Sequence, residues 1–179
     1  MTRCRTTNLS LIALTTLSTL IASLPAQAGE ATTSAGVTQI GSRPGTANAT
    51  AAYTGEGRGR AQTTTRSGRV TLAEGLAFGV DRDGIDFSVS YAVAGRFAPA
   101  LASTFNLSIG RDGSVASSGG LSVAGNAPVR SVNAGGFARS QPGGSISGAT
   151  AGGRSDPHGT VLAKTWSESR RPLRTFRYR

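Results

Sequence analysis

Large apolar residues alternate with small or polar residues along two neighbouring stretches of the chain. Every odd position from Ile85 to Val93 carries a large apolar side chain, and so does every even position from Leu76 to Val80. A period of two places alternate side chains on opposite faces of a β-strand. We therefore predict two strands, each with its apolar face buried and its polar face in solvent.

The segment Asp81-Arg82-Asp83-Gly84 separates these two runs. An Asp-Gly pair between alternating apolar runs predicts a β-hairpin. A two-residue Asp83-Gly84 turn would set Val80 opposite Phe87, and a four-residue loop would preserve the same parity. A three-residue loop would need a bulge, because it would pair apolar with polar positions.

A second alternating run, Phe105 to Ile109, is followed by the turn sequence Gly110-Arg111-Asp112-Gly113. Arg-Asp-Gly thus occurs twice, and the two copies are either an internal repeat or, as we favour, a coincidence of a common turn. The stretch 76–123 is the best defined part of a Gly-rich β domain that we place at 71–166.

The second half of this domain is poorer in apolar residues. Only seven of the 43 residues at 124–166 are large and apolar, and Gly-Gly pairs stand at 119–120, 135–136, 143–144 and 152–153. Such pairs mark turns between short strands or loose coil, and glycine weakens strand interiors. We expect poorly packed strands here.

The stretch 29–70 has low complexity. Ala, Gly, Ser and Thr fill 27 of its 42 positions. Such a segment has few large apolar side chains, and their burial would not offset the chain entropy lost on folding. We predict a flexible leader. Gly57-Arg58-Gly59-Arg60 within it is similar to the Arg-Gly motifs of RNA-binding tails, although a linker is the simpler interpretation.

The first 28 residues have the organisation of a secretory signal peptide. Arg3 and Arg5 precede an apolar run from Leu9 to Leu24, and Pro25 leads into Ala26-Gln27-Ala28. The run has 16 residues and six hydroxyl side chains, fewer than the roughly 20 apolar residues that span a bilayer. We expect cleavage between Ala28 and Gly29, and a secreted, periplasmic or cell-envelope protein without a transmembrane segment.

The composition of the processed chain excludes cysteine chemistry and leaves few large apolar residues for a core. Cleavage removes Cys4, the single cysteine, so neither a disulfide nor a thiolate metal site is expected. Val, Ile, Leu and Phe number 27 of 151 residues and the net charge is +8. That apolar content lies below the roughly 20% at which disorder becomes an alternative. The excess of Arg over Lys favours a GC-rich bacterial genome.

The fold class that follows is mainly β. We predict a small antiparallel sheet or hairpin domain between the low-complexity leader and a basic C-terminal tail at 167–179, with substantial disorder left open. The tail is the candidate anion-binding segment, because its cations and aromatic rings could contact phosphates and stack on bases or sugars. Its candidate residues are Arg170, Arg171, Arg174, Arg177, Arg179, Phe176 and Tyr178. The alternative is a solvated tail without a ligand.

Catalytic and metal chemistry is weakly indicated. Asp81, Asp83 and Asp86 invite a calcium interpretation, but the glycine and the twelfth ligand of an EF-hand loop are misplaced. The single histidine, His158, lies in a turn-like segment without a recognisable nucleophile and orienting partner. We expect no metal, no cofactor and no catalytic residue.

These observations favour an exported, non-catalytic envelope or extracellular protein that binds or associates through its surface. The alternative is a weak binder of anionic polymers, such as polysaccharide, lipopolysaccharide or nucleic acid, acting through the basic tail. A secreted hydrolase is the third interpretation.

The first prediction concerns processing. The protein recovered from the exported fraction should begin at Gly29, because Ala26-Gln27-Ala28 presents small side chains to a signal peptidase. N-terminal sequencing checks this, and a protein that begins at Met1 or Thr2 would contradict it.

Overall fold

The computed structural model describes residues 29–125, 127–156 and 158–171. Within these ranges the chain forms ten β-strands and no helix, so the prediction of a mainly β fold is confirmed. The strands are β1 (Glu30–Ile40), β2 (Thr46–Thr54), β3 (Arg58–Arg66), β4 (Val70–Val80), β5 (Gly84–Gly95), β6 (Ala100–Gly110), β7 (Val115–Gly125), β8 (Val129–Gln141), β9 (Gly144–Ser155) and β10 (Thr160–Arg170).

The strands form two antiparallel sheets that pack face to face. One sheet has four strands in the order β2-β1-β8-β9, and the other has six in the order β10-β7-β6-β5-β4-β3. The central strands β1 and β8 lie against β5 and β6, whereas β3 and β10 are exposed along their whole length. The six-stranded sheet therefore extends beyond the smaller sheet at both edges.

The expectation of a flexible leader at 29–70 is wrong, because this stretch supplies β1, β2 and β3. β1 lies in the middle of the four-stranded sheet between β2 and β8, and its inward side chains Ala31, Ala35 and Val37 are buried. The alternation of small residues in this stretch does encode strands. Small side chains suffice here because the two sheets approach closely.

The hairpin predicted around Asp81–Gly84 is present, with the four-residue loop. Val80 pairs with Ile85 and Phe78 with Phe87, so the register of a two-residue turn is wrong. The Asp81 carboxylate explains the longer loop, since its Oδ1 accepts the amide N–H groups of Asp83 at 2.8 Å and Gly84 at 3.0 Å. Such an Asp-centred turn holds four residues without bulging either strand.

The direction of the apolar alternation is the main correction to the sequence analysis. The even positions Asp86, Ser88 and Ser90 of β5 point into the space between the sheets and are at most 1% exposed. The odd positions from Ile85 to Val93 point outward and are partly exposed. The face that we expected in solvent is therefore the buried one.

Hydroxyl groups that meet across the two sheets explain this inversion. Thr33 of β1 lies 2.7 Å from the Oγ atoms of both Ser88 and Ser90 of β5. One short side chain from each sheet fills the gap, so the sheets are closer than the roughly 10 Å of sandwiches with large apolar cores. Phenylalanine or leucine at these inward positions would not fit.

A hydrogen-bond network continues from this contact through the interior. The Ser88 hydroxyl donates to Asn106 Oδ1 at 2.6 Å, and Asn106 Nδ2 donates to Ser118 Oγ at 3.1 Å and to the Gly148 carbonyl at 3.0 Å. Gly136 makes room for the amide, because a Cβ atom there would overlap Asn106 Nδ2. Paired in this way, buried polar groups avoid most of their desolvation cost.

The other end of the interior is apolar but is also built from small side chains. Alanines from both sheets meet there around two valines, one on β1 and one on β8. The cluster consists of Ala35, Val37, Ala73, Ala92, Ala94, Ala100, Ala102, Ala124, Val132 and Ala134. The interior thus has a polar half and an alanine half.

The C-terminal boundary of the domain is also corrected. We placed the basic tail at 167–179, but Ser167–Arg170 belong to β10 and pair with β7, with Arg170 opposite Val115. The Gly-Gly pairs at 135–136 and 152–153 lie inside β8 and β9, whereas Gly143 occupies a turn with φ of 88°.

The second prediction tests the polar interior. Asn106→Ala should lower the free energy of unfolding by about 3 kcal/mol, because the Ser118 hydroxyl and the Gly148 carbonyl lose their donor at about 1–3 kcal/mol for each group left unpaired. The Ser88 hydroxyl loses one acceptor but keeps its contact with Thr33. Asn133→Ala is the control, since this asparagine is exposed on the outside of β8 and should matter by less than about 0.5 kcal/mol. Urea denaturation measures both, and equal midpoints would contradict the role of the network.

Candidate functional site

The outward side of the six-stranded sheet carries most of the large apolar side chains among the described residues. Residues that pair across strands share a face, so the pairing of Val80 with Ile85 and of Ile85 with Ile109 places all three outward in one row. We call the outward side of β4 to β7 the apolar face. Its apolar side chains are Val70, Leu72, Leu76, Phe78, Val80, Ile85, Phe87, Val89, Tyr91, Val93, Leu101, Phe105, Leu107, Ile109, Val115, Leu121 and Val123.

Aromatic rings form a continuous band across this face. Phe105 lies with its ring centroid 6.5 Å from Phe87 and 6.2 Å from Trp166, both in tilted arrangements. Trp166 of β10 reaches Phe105 across Gly119, where an added Cβ would lie 2.6 Å from the indole Nε1. Glycine at this position therefore allows the tryptophan to cover the strand beside it.

The apolar face remains accessible to solvent in spite of these contacts. Phe78, Ile85 and Tyr91 are each 40–43% exposed. Contiguous exposed apolar area of this kind is uncommon in monomeric soluble proteins and marks surfaces that contact something else.

Basic side chains border the apolar face at both edges of the sheet. On β3, Arg58, Arg60 and Arg66 pair with outward positions of β4 and thus point to the same side. On β10, Lys164 and Arg170 do the same opposite β7. We call these two strands the basic edges.

Two glutamates also lie on this side of the molecule. Glu168 of β10 accepts a hydrogen bond from Arg170 at 2.7 Å, and Glu74 of β4 lies between the β3 edge and Tyr91. The arginines of β3 form no ion pair among the described residues, so that edge keeps its charge.

The outward side of the four-stranded sheet is different in character. Hydroxyl side chains predominate there and bond to one another, as in the 2.7 Å contact of Ser34 with Thr50 and the 3.0 Å contact of Thr38 with Ser131. The protein thus has one apolar outer face with basic edges and one polar outer face.

The structure describes only the beginning of the predicted anion-binding tail. Arg170 ends β10 with its side chain 79% exposed, and Arg171 follows it in the open. Arg174, Phe176, Arg177, Tyr178 and Arg179 lie outside the described residues, as does Ala28 of the expected cleavage site.

Of the three aspartates considered for calcium, Asp81 and Asp86 lie side by side at the polar end of the interior. The Oδ1 atom of Asp81 is used by the hairpin loop, and Asp86 turns into the interior, where Ser108 and Ser140 each donate to it at 2.8 Å. In the described part of the chain no group of three or more His, Cys, Asp or Glu side chains is arranged to hold a metal ion.

His158 stands exposed in the turn between β9 and β10. A shallow cleft of about 310 Å³ lies between β7, β9 and β10 and is lined by serines together with Glu168 and Arg170. Within the described ranges this lining contains hydroxyls and no histidine, and His158 is not part of it.

The sequence analysis missed the β3 edge, although a signal for it was present. Gly57-Arg58-Gly59-Arg60 was interpreted as a linker or an Arg-Gly motif, yet its alternation is that of a strand with arginine outward and glycine inward. Gly59 and Gly79 lie beneath the ring of Tyr53, which any Cβ at either position would overlap.

Comparison with known proteins points to no relative. No family model matches the chain, and neither a curated protein nor a solved structure is significantly similar to it. Over the residues that the structure describes, no helix has the length and apolar character needed to cross a membrane.

The third prediction concerns Tyr53, whose ring lies between the sheets near the acidic residues. Burial, followed by the charges of Asp81 and Asp86, raises the pKa of Tyr53 to about 12. The stability linked to this hydroxyl is present below pH 10 and is lost as the pH rises from about 10 to about 12.

Tyr53→Phe should abolish that part of the pH dependence, and Tyr91→Phe, a control on the exposed apolar face, should preserve it. Urea unfolding between pH 9 and 12, with absorbance titration of the phenolates, measures the effect. The same pH slope in Tyr53→Phe as in the unaltered chain would show that the hydroxyl is not perturbed.

Proposed function

We propose that this chain is an exported, non-catalytic protein of the cell envelope that works by adsorbing to an anionic lipid surface through the apolar face and its basic edges. The observation that carries the proposal is the arrangement of that side of the six-stranded sheet, where apolar rows lie between two cationic strands. A lipid surface offers both complementary features, because acyl chains lie beneath anionic head groups.

The apolar rows would supply the non-ionic part of the binding free energy. Removing apolar surface from water contributes about 25 cal/mol per Å². Ile85, Phe105 and Leu121 are each still 38–41% exposed, so contact with acyl chains would remove apolar area that the fold itself leaves wet. The sheet also presents this area on one side without rearrangement.

The basic edges would supply the electrostatic part. A Lys or Arg near an anionic membrane surface contributes about 1 kcal/mol, and this contribution falls within a Debye length of about 10 Å at 0.1 M salt. Arg58, Arg60 and Arg66 follow one edge without an acidic partner among the described residues. Their long apolar stems also allow the charged ends to reach a head-group layer.

A second copy of the chain is a less suitable occupant. Two apolar faces stacked on each other would bring basic edges together, whichever of the two edges faced the other. Glu74 and Glu168 are too few to compensate, and Glu168 is already bonded to Arg170. Charge complementarity therefore favours an anionic lipid layer.

The polar back of the sandwich is consistent with one-sided adsorption. The four-stranded sheet keeps its hydroxyl-rich side in water while the opposite side contacts lipid. Export, the absence of catalysis and the compartment remain proposals that rest on the signal-like N-terminus and on the character of this surface.

The fourth prediction uses a matched pair of double variants. Ile85→Asn with Ile109→Asn places two amides on the apolar face, and Ile40→Asn with Ile146→Asn does so on the polar face, where the isoleucines are similarly exposed. The first variant should weaken binding to vesicles of phosphatidylglycerol and phosphatidylcholine about tenfold, a difference of about 1.4 kcal/mol. The control should bind like the unaltered chain.

A second matched pair tests the charges. Arg58→Ser with Arg60→Ser should also weaken vesicle binding about tenfold, and the loss should shrink as salt rises, whereas Arg43→Ser with Arg154→Ser should have little effect. Sedimentation of the chain with the vesicles gives the affinities.

Three results would overturn the proposal. If the chain bound pure phosphatidylcholine vesicles as tightly as the vesicles that contain phosphatidylglycerol, charge would have no role in binding. Binding to heparin or DNA without binding to vesicles would support the anionic-polymer alternative. A stable dimer whose formation is blocked by Ile85→Asn with Ile109→Asn, without vesicle binding, would identify a second copy as the occupant.

A further inference from the structure

An acidic pair, the buried Asp86 and the half-buried Asp81, lies at the polar end of the sandwich, and no Lys or Arg of the described residues forms an ion pair with it. Asp86 of β5 is 1% exposed, and burial raises its pKa even though Ser108 and Ser140 donate hydrogen bonds to it. Asp81 lies next to it and contributes a like charge. A buried carboxylate normally has a cationic partner, because leaving its charge uncompensated is costly.

The second carboxylate oxygen of Asp81, Oδ2, is not used by the hairpin loop. Its Oδ1 accepts two loop amides, whereas its Oδ2 is inaccessible to solvent, and the Tyr53 hydroxyl beside this carboxylate is an uncharged donor. The ion pairs in the described ranges join Arg82 to Glu56, Arg139 to Glu30 and Arg170 to Glu168. They thus leave Asp81 and Asp86 without a cation.

Gly29 occupies the position where such a cation would be expected. It is buried immediately before β1, and a methyl group on its Cα would overlap Asp81 Oδ2 and lie 3.0 Å from Asp86 Oδ2. The backbone nitrogen is bonded to the same carbon at about 1.5 Å. An amino group at Gly29 would therefore be within reach of both carboxylates.

We propose that cleavage between Ala28 and Gly29 creates the missing cation, and that the α-ammonium group of Gly29 forms a buried ion pair with Asp81 and Asp86. The peptidase-catalysed step is a hydrolysis. Water adds across the peptide bond, Ala28 leaves with a carboxylate, and the Gly29 amine takes up a proton at neutral pH. Removal of the signal peptide would thereby complete the polar end of the interior.

The unprocessed chain cannot form this pair. Its Gly29 nitrogen is an amide, which carries no charge and has a single hydrogen to donate. The two carboxylates would remain uncompensated, so the precursor would be less stable than the processed protein. Processing and folding would be coupled through three groups, Gly29, Asp81 and Asp86.

Glycine at the first position is itself part of the inference. Any side chain at residue 29 would collide with the carboxylate that the amine has to meet. Of the other titratable groups, Tyr53 of β2 faces the pair and Asp83 lies in the same loop, whereas the Glu30–Arg139 ion pair is on the outward side of β1 and β8. None of these groups supplies a positive charge to Asp81 and Asp86.

The pH dependence follows from the same geometry. Two carboxylates hold the proton on the amine, so the pKa of the Gly29 amino group should lie above the roughly 7.7–8.0 of an ordinary α-amino group. The stabilisation is complete below about pH 7.7 and is lost as the pH rises through the raised pKa.

The fifth prediction compares two forms of the chain, both released from a fusion by a specific protease. One form begins at Gly29 and the other keeps Ala28, and both contain every described residue. The unfolding equilibrium constant in urea at pH 7 should be about tenfold smaller for the Gly29 form, which corresponds to an amino pKa near 9. Nitrogen-15 NMR of the labelled amino group measures that pKa directly.

A double-mutant cycle assigns the effect to the carboxylates. The difference between the two forms should shrink in Asp86→Asn and in Asp81→Asn, and it should persist in full in the control Asp112→Asn, whose carboxylate belongs to the β6–β7 turn. An ordinary amino pKa together with identical unfolding of the two forms would overturn the inference.

If Asp86→Asn fails to fold, the pKa of the Gly29 amine in Asp81→Asn still decides the question, because loss of a neighbouring carboxylate should lower it. These measurements do not involve vesicles, so they can fail while the proposed lipid adsorption stands. Conversely, vesicle binding can fail while the ion pair of Gly29 is confirmed.

Discussion

The short hydroxyl contact between the sheets, from Thr33 to Ser88 and Ser90, is the constraint on which the rest of this structure depends. It holds two sheets so close that small residues, Gly, Ala, Ser and Thr, fill most of the space between them. The large apolar side chains of β4 to β7 are thereby left on the outside. The exposed apolar face is thus a consequence of how the interior is packed.

An interior made of small and polar side chains is stabilised differently from one made of large apolar side chains. Large side chains contribute little to burial, so stability depends on close backbone approach, on the alanine cluster around Val37 and Val132, and on hydrogen bonds between buried polar groups. A buried network of this kind specifies one arrangement most strongly where its members are satisfied. Asp81 Oδ2 is one of several buried polar atoms without a hydrogen bond in the described ranges, and it is set apart by its position beside Gly29.

The two outer faces differ because each sheet turns only one side inward. In the six-stranded sheet the small residues lie on the inward side, and the aromatic band of Phe87, Phe105 and Trp166 lies on the outward side. In the four-stranded sheet small residues predominate on both sides, and hydroxyl side chains are frequent on its outer side. The difference in size between the sheets leaves β3 and β10 uncovered, and their cations flank the apolar face.

The sequence by itself determined the strands around 76–123, the turn at Asp81–Gly84 and the fact that Ile85, Phe87 and Val89 share a face. These features are local, because alternation and turn chemistry act over a few residues. Which face is buried was decided only by the tertiary structure. Alternation is symmetric between inside and outside, and the facing sheet offered Thr33 and alanines instead of large apolar partners. The same constraint turned the stretch 29–70 into strands, because a narrow gap makes small residues sufficient to fill a core.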